Sequence, residues 1–159
     1  SDTDRIRPNL PPGTTLVDRG GKAVIRIDGG MVNYGPGKAA LTPEGKQAMD
    51  KVALILNRDF PTRTVVVEGH TDSQPIVRNI ALYKNNWELG MKRSTEVVDY
   101  LTMKGVDPRR IRATSLGEHQ PIADNTSKSG QAKNRRVEIV VMPEDTFGAT
   151  PTTTASVPY

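Results

Sequence analysis

At 159 residues, 35% of them hydrophobic and 4% aromatic, the chain has the length of one domain with a modest aliphatic core. Its mean hydropathy of −0.50, and the lack of any run of about eighteen apolar residues, exclude a membrane-spanning helix within the sequence as given. The absence of cysteine excludes disulfides and thiol chemistry, while a net charge of +4 permits a nucleic acid, an anionic membrane or a cell wall without choosing among them.

Residues 1–21, with Pro8, Pro11 and Pro12, read as an extended N-terminal arm or linker with little regular structure. The chain opens on Ser1 without a basic-then-apolar signal segment, which suggests a processed or excised piece; an upstream membrane anchor or barrel is therefore an expectation. Lys22 to Asp28 is β-branched and partly alternating and predicts a first strand, which Gly29-Gly30 and Gly35-Pro36-Gly37 break into a loop. Thr42-Pro43-Glu44 supplies a hydroxyl cap, a first-turn proline and an acid at the positive helix end. Ala48, Val52, Ile55 and Leu56 then fall on one face of a helix that ends near Asn57.

Val65-Val66-Val67 predicts a strand covered on both faces, running through Glu68-Gly69-His70-Thr71 to deliver Asp72 at its end. A loop from Ser73 to Lys84 follows, and Asn85 with Glu88 forms a capping-box-like start for a second helix. That helix carries Ser94, Val97, Val98 and Leu101 on its core stripe and stops at Gly105, with Val106 folding back and Pro108 barring continuation. Arg110 to Ser115 predicts a third strand, a turn-rich stretch runs through Gly117, Asn125 and Gly130, and Arg136 to Val141 predicts the last strand. Residues 143–159, dominated by threonine, proline and alanine, read as a disordered C-terminal tail. The order βαβαββ over residues 22–142 predicts an α+β fold, a two-layer αβ sandwich with helices on one face of a mixed four-stranded sheet.

Asp72 ends the valine strand and Arg93 lies about two turns into the next helix, so packing that helix on the sheet could bring both to one rim. A carboxylate and a guanidinium held close but apart would grip a zwitterion, one taking an ammonium and the other a carboxylate. Equally open at this point is that the two simply pair, or point separately into water.

The motifs Gly69-His70-Thr71-Asp72, Asn86-Trp87-Glu88-Leu89 leading to Arg93, Pro121-Ile122-Ala123-Asp124-Asn125, and Asn134-Arg135-Arg136-Val137-Glu138, in that order, resemble the OmpA-like C-terminal domain. The long connection from Asp72 to the second helix is similar to the MotB-type members. The resemblance implies non-covalent, non-catalytic binding of peptidoglycan, with no cofactor and no metal, which anchors a membrane-associated parent to the cell wall in the periplasm, at the outer or inner membrane. It implies that Asp72 and Arg93 hold the diaminopimelate of the stem peptide, with Thr71, Asn86 and Leu89 at the pocket wall and Arg135 beside it. Stator-like relatives act as dimers, so a homodimer is a further expectation. Gly90 and Ser94 stand where the family usually has serine and alanine, and Gln131 where it has arginine, departures that predict a looser helix and a missing basic contact.

Other readings of the same residues are weaker. His70 and Asp72 would share a strand face, but two ligands are too few for a metal, His119 lies in a distant loop, and His70 reads as a structural hydrogen-bonder. No Ser, His and Asp spacing matches a nucleophile elbow, and no carboxylate pair is evident. A basic αβ nucleic-acid-binding module would draw on Arg109, Arg110 and Arg112, but alternate strand positions split between faces and few aromatics are available to stack bases. Trp87 reads as a core or rim residue.

Overall fold

The computed structural model describes residues 1–32, 35–78 and 80–144, the side chains of Met31 and Val32 excepted. Five strands, β1 (Thr14–Arg19), β2 (Lys22–Asp28), β3 (Val65–His70), β4 (Ile111–Gly117) and β5 (Arg136–Val141), form one mixed sheet in the order β1-β2-β5-β3-β4. Only β3 and β4 are parallel. The helices are α1 (Asp2–Ile6), α2 (Gly29–Val32), α3 (Pro43–Asp59), α4 (Asn86–Met103) and α5 (Lys128–Asn134), and a 3-10 turn spans Arg7–Asn9. The architecture is the expected α+β layered one; the strand count is five rather than four.

The additional strand lies in the segment predicted to be an irregular arm. Thr14 to Arg19 pairs antiparallel with β2, and the hairpin closes through Gly20 and Gly21, both at positive φ. Two consecutive left-handed residues make the tight turn whose twist matches the flanking strands, which glycine adopts without steric cost. Ahead of it, Ser1 caps α1 and Asp2 meets Arg63 at 2.8 Å, tying the start of the chain to the end of α3. The predicted arm also holds α1, the Gly29-Gly30 pair predicted as a loop opens the short α2, and the turn-rich stretch holds α5, capped by Ser127, which accepts from the Gly130 amide at 3.0 Å. The predicted tail lies outside the described residues from 145 onward.

One face of the sheet carries the apolar core. Ile25 and Ile27 of β2, Val65 and Val67 of β3, and Val137, Ile139 and Val141 of β5 pack with Met49, Val52, Ile55 and Leu56 of α3 and Val97 and Leu101 of α4. Strand alternation sends the intervening residues, Arg26, Glu68, His70, Arg136 and Glu138, to the opposite face. α3 and α4 start where predicted, with Thr42 accepting from the Gly45 amide and Asn85 from the Glu88 amide. Glu88 reaches back to the amide of Lys84 instead of Asn85.

Gly90 does not loosen α4. A Cβ at Gly69 would overlap the Gly90 carbonyl, and a Cβ at Gly90 would overlap the Ser115 hydroxyl. The glycine pair therefore lets α4 approach β3 and β4 closely, which sets the depth at which Arg93 enters the fold.

Candidate functional site

The sheet pairing brings Asp72 and Arg135 to one rim. His70 of β3 is registered with Arg136 of β5, so the residues just beyond the end of β3 meet those just before β5. There Asp72 Oδ2 accepts from Arg135 Nη1 at 2.7 Å, and Asp72 Oδ1 accepts from the Gln74 amide at 3.0 Å. Both side chains are largely buried, at 6% and 13% exposure, so the pair is screened less than a surface ion pair.

Arg93 stands at the same rim, yet it does not meet Asp72 as the strand-and-helix spacing had allowed. Fully buried, it donates from Nε to the Lys38 carbonyl at 2.8 Å, from Nη1 to the His70 carbonyl at 2.9 Å and from Nη2 to the Gly35 carbonyl at 3.3 Å. Its guanidinium thus pins the 35–38 loop to the end of β3. The planar fork suits this task because its donors diverge in fixed directions.

Asp72, Asn86, Leu89, Arg93 and Arg135 all line one cavity of about 600 Å³, whose other walls are Gly35 to Lys38 and Gln74 to Arg78. Thr71 is not one of its walls. Buried beside it, Thr71 donates its hydroxyl to the Asp72 carbonyl at 2.8 Å and its amide to the Gly117 carbonyl at 2.9 Å, fixing the turn that presents Asp72. Asn86 donates to the Gln74 carbonyl at 3.1 Å, while its own buried Oδ1 has no hydrogen-bond partner. The arrangement offers a carboxylate acceptor, two guanidiniums and an amide acceptor around a space far larger than any one of them needs.

Several other expectations change. Trp87 is half-exposed at the rim and stacks on His119, ring centroids 4.7 Å apart, so the loop histidine is a packing partner. Gln131 donates to the Asn125 carbonyl at 2.9 Å and braces the turn before α5. The basic group proposed for nucleic acid is dispersed: Arg109 pairs with Asp107 at 2.8 Å, and Arg110 is buried against the end of α3.

His70 does not share a face with Asp72 and does not hydrogen-bond through its ring. It lies on the far face of the sheet with Glu68 and Glu138, and the three could present ligand atoms within 4.8 Å of one another, a cluster that spacing along one strand could not reveal. Its Nε2 is 3.5 Å from Glu68 Oε1 and 4.0 Å from Glu138 Oε2, electrostatic contact without a hydrogen bond. Burial pushes the imidazole below the ordinary histidine range, against the upward pull of Glu68 and Glu138. Three guanidiniums meet the two carboxylates: Arg19 at Glu68 (3.1 Å), and Arg136 (3.0 Å) and Arg26 (3.6 Å) at Glu138. A dication would add charge where cations already exceed anions by one, so the cluster reads as an internally paired ionic layer and not as a cation site.

Known proteins fit this geometry. The OmpA family profile matches residues 33–135. A MotB-like protein of Desulfovibrio vulgaris superposes with a TM-score of 0.75 at 30% identity, covering 88% of each chain. The cell wall anchor of the type VI secretion system from Pseudomonas aeruginosa superposes with a TM-score of 0.73 at 28% identity, covering 91% of this chain and 98% of that one. Among curated sequences, the peptidoglycan-binding protein ArfA of Mycobacterium tuberculosis is 36% identical over 119 residues, 75% of this chain and 34% of its own. The first curated relatives are spanned over only 34–60% of their length.

Proposed function

Because the chain belongs to the OmpA family, we propose that it is a binding module that holds peptidoglycan non-covalently, without turnover, and anchors a larger parent protein to the cell wall. The bound group is the diaminopimelate of the stem peptide, whose free end carries an ammonium and a carboxylate. The single observation that carries this reading is one cavity lined by a carboxylate, Asp72, and two guanidiniums, Arg93 and Arg135. In this account Asp72 takes the ammonium. Arg135 leaves Asp72 to take the carboxylate, and Arg93 holds the 35–38 loop as the opposite wall. The exchange of one ionic partner for another keeps every charge matched in a partly buried place, where an unmatched charge is costly.

The wall location follows from the ligand. Relatives bearing this domain are wall-associated, among them the ArfA and secretion-system proteins described above, and the reading places this domain in the periplasm with its parent tethered to a membrane. Among the described residues no helix is long and apolar enough to cross a membrane. Residues 22–142 are proposed as the wall-binding unit, with residues 1–21 joined to it through β1.

Asp72→Ala tests the reading directly. Co-sedimentation with isolated peptidoglycan should fall by about tenfold to a hundredfold, the value of one charge-assisted hydrogen bond at about 1.5–3 kcal/mol. Thermal stability should fall somewhat because Arg135 loses its carboxylate, so pelleting is compared per folded molecule. Undiminished pelleting of the variant would remove Asp72 from the site.

A further inference from the structure

The cavity is larger than the group proposed to fill it, and much of its remaining wall is apolar. Its volume is about 600 Å³, while the ion-binding side chains gather at the Asp72 end. The rest of the wall includes Pro75, Ile76 and Val77 of the Ser73–Lys84 loop and Leu89 of α4, beside Lys38 and Arg78. Val77 is 76% exposed, and Ile80 and Leu82 farther along the loop are also exposed, a concentration of large apolar side chains in water beside a cavity. Exposed apolar side chains lining a cavity with a few polar groups are the usual make-up of a ligand site.

The loop is also fastened to the ion-binding end. The Gln74 amide donates to Asp72 Oδ1, and the Gln74 carbonyl accepts from Asn86. The position of the apolar wall is therefore set by the carboxylate proposed to take the ammonium. A ligand that engages Asp72 meets Pro75 to Val77 as the next surface along its backbone.

Resting on the reading above, we propose that Ile76 and Val77 form an apolar subsite for the aliphatic residue joined to diaminopimelate in the stem peptide. The recognised unit is then a peptide, not the isolated amino acid. Ions fix the zwitterionic residue and the loop selects its small hydrophobic neighbour. Two aliphatic side chains packed on an alanyl methyl give a gain of about tenfold in affinity.

Calorimetric titration of the protein with free diaminopimelate, and with a tetrapeptide carrying alanine on diaminopimelate, tests this. Wild type should bind the tetrapeptide about tenfold more tightly than the amino acid. The double variant Ile76→Ser, Val77→Ser, both on an accessible loop, should bind the two probes equally and keep wild-type affinity for the amino acid. Asp72→Ala should lose both probes. A tetrapeptide advantage that survives in the double variant, or no advantage in wild type, overturns the subsite. Retention of both probes by Asp72→Ala overturns the ion-binding reading instead, so the two failures are told apart.

Discussion

At one rim of the sheet Arg110 points into the last turn of α3, and at the other Arg93 points into the 35–38 loop. Both side chains are buried, and both are held by backbone carbonyls. Arg110 donates to Phe60 at 2.8 Å, Arg63 at 3.0 Å and Leu56 at 3.0 Å, and to Asn57 Oδ1 at 3.0 Å, satisfying acceptors that the end of a helix leaves open. Arg93 does the same for Lys38, His70 and Gly35. What differs is the space in front. Arg110 faces packed helix, whereas Arg93 faces a cavity with a carboxylate, Asp72, across it. Burial and hydrogen bonding alone thus do not distinguish the two arginines; the open space with an opposed charge does, and on that ground Arg93 is proposed to shape the binding cavity.

Truncation should break the two rims differently. Arg110→Ala strands several buried acceptors, each at about 1–3 kcal/mol, and should lower stability by about 3 kcal/mol or more in denaturant titration. Binding per folded molecule should not change. Arg93→Ala should carry a similar stability loss and also abolish pelleting with peptidoglycan, because the loop that forms one cavity wall is released. If folded Arg93→Ala protein still pellets as wild type does, the two arginines are equivalent and the cavity-side role is wrong. A smaller effect is expected for Arg135→Ala. It should weaken pelleting by about tenfold, the value of one charge-assisted contact, and lower the melting temperature as well, because the buried Asp72 carboxylate loses its ionic partner.

Much of this was legible locally. The Thr42 and Asn85 caps, the valine strand that leads to Asp72 and the left-handed stop at Gly105, where φ is 102°, follow from residue chemistry within a few positions. β1 was hidden by the prolines before it, yet Gly20-Gly21 between two β-branched runs is a hairpin signal that could have found it. α5 offers less: seven residues, Ser129 and Gly130 among them, have neither length nor apolar period. The Asp72–Arg135 pairing and the gathering of Glu68, His70 and Glu138 depend on the register of β5 against β3. Two strands 60 or more residues apart carry no local mark of how they align, so only the residue types, and not their partners, could be read.

The far face offers the finest test of the contrast, since its charges pair with one another where those at the cavity are proposed to exchange for a ligand. His70 is approached by Glu68 of its own strand and by Glu138 and Arg136 of β5. Burial, the largest influence, holds its folded value below the ordinary one, the two carboxylates oppose this, and Arg136 adds to it. Between the folded value and the unfolded value of about 6.5, the unfolded chain binds more protons. Stability is therefore full above about pH 6.5 and declines as pH falls through the folded value. Glu68 acts in a separate, more acidic window: burial raises its value, but the hydrogen bonds from Arg19 and the charges around it outweigh that and leave it below the ordinary glutamate. Melting temperatures taken from about pH 7.5 down to about pH 5 should fall for wild type, and the slope should flatten in His70→Gln, whose neutral amide cannot take up the proton. A His70→Gln profile parallel to wild type would show that some other group carries the acid sensitivity, and with it that the far face is not held by a neutral imidazole.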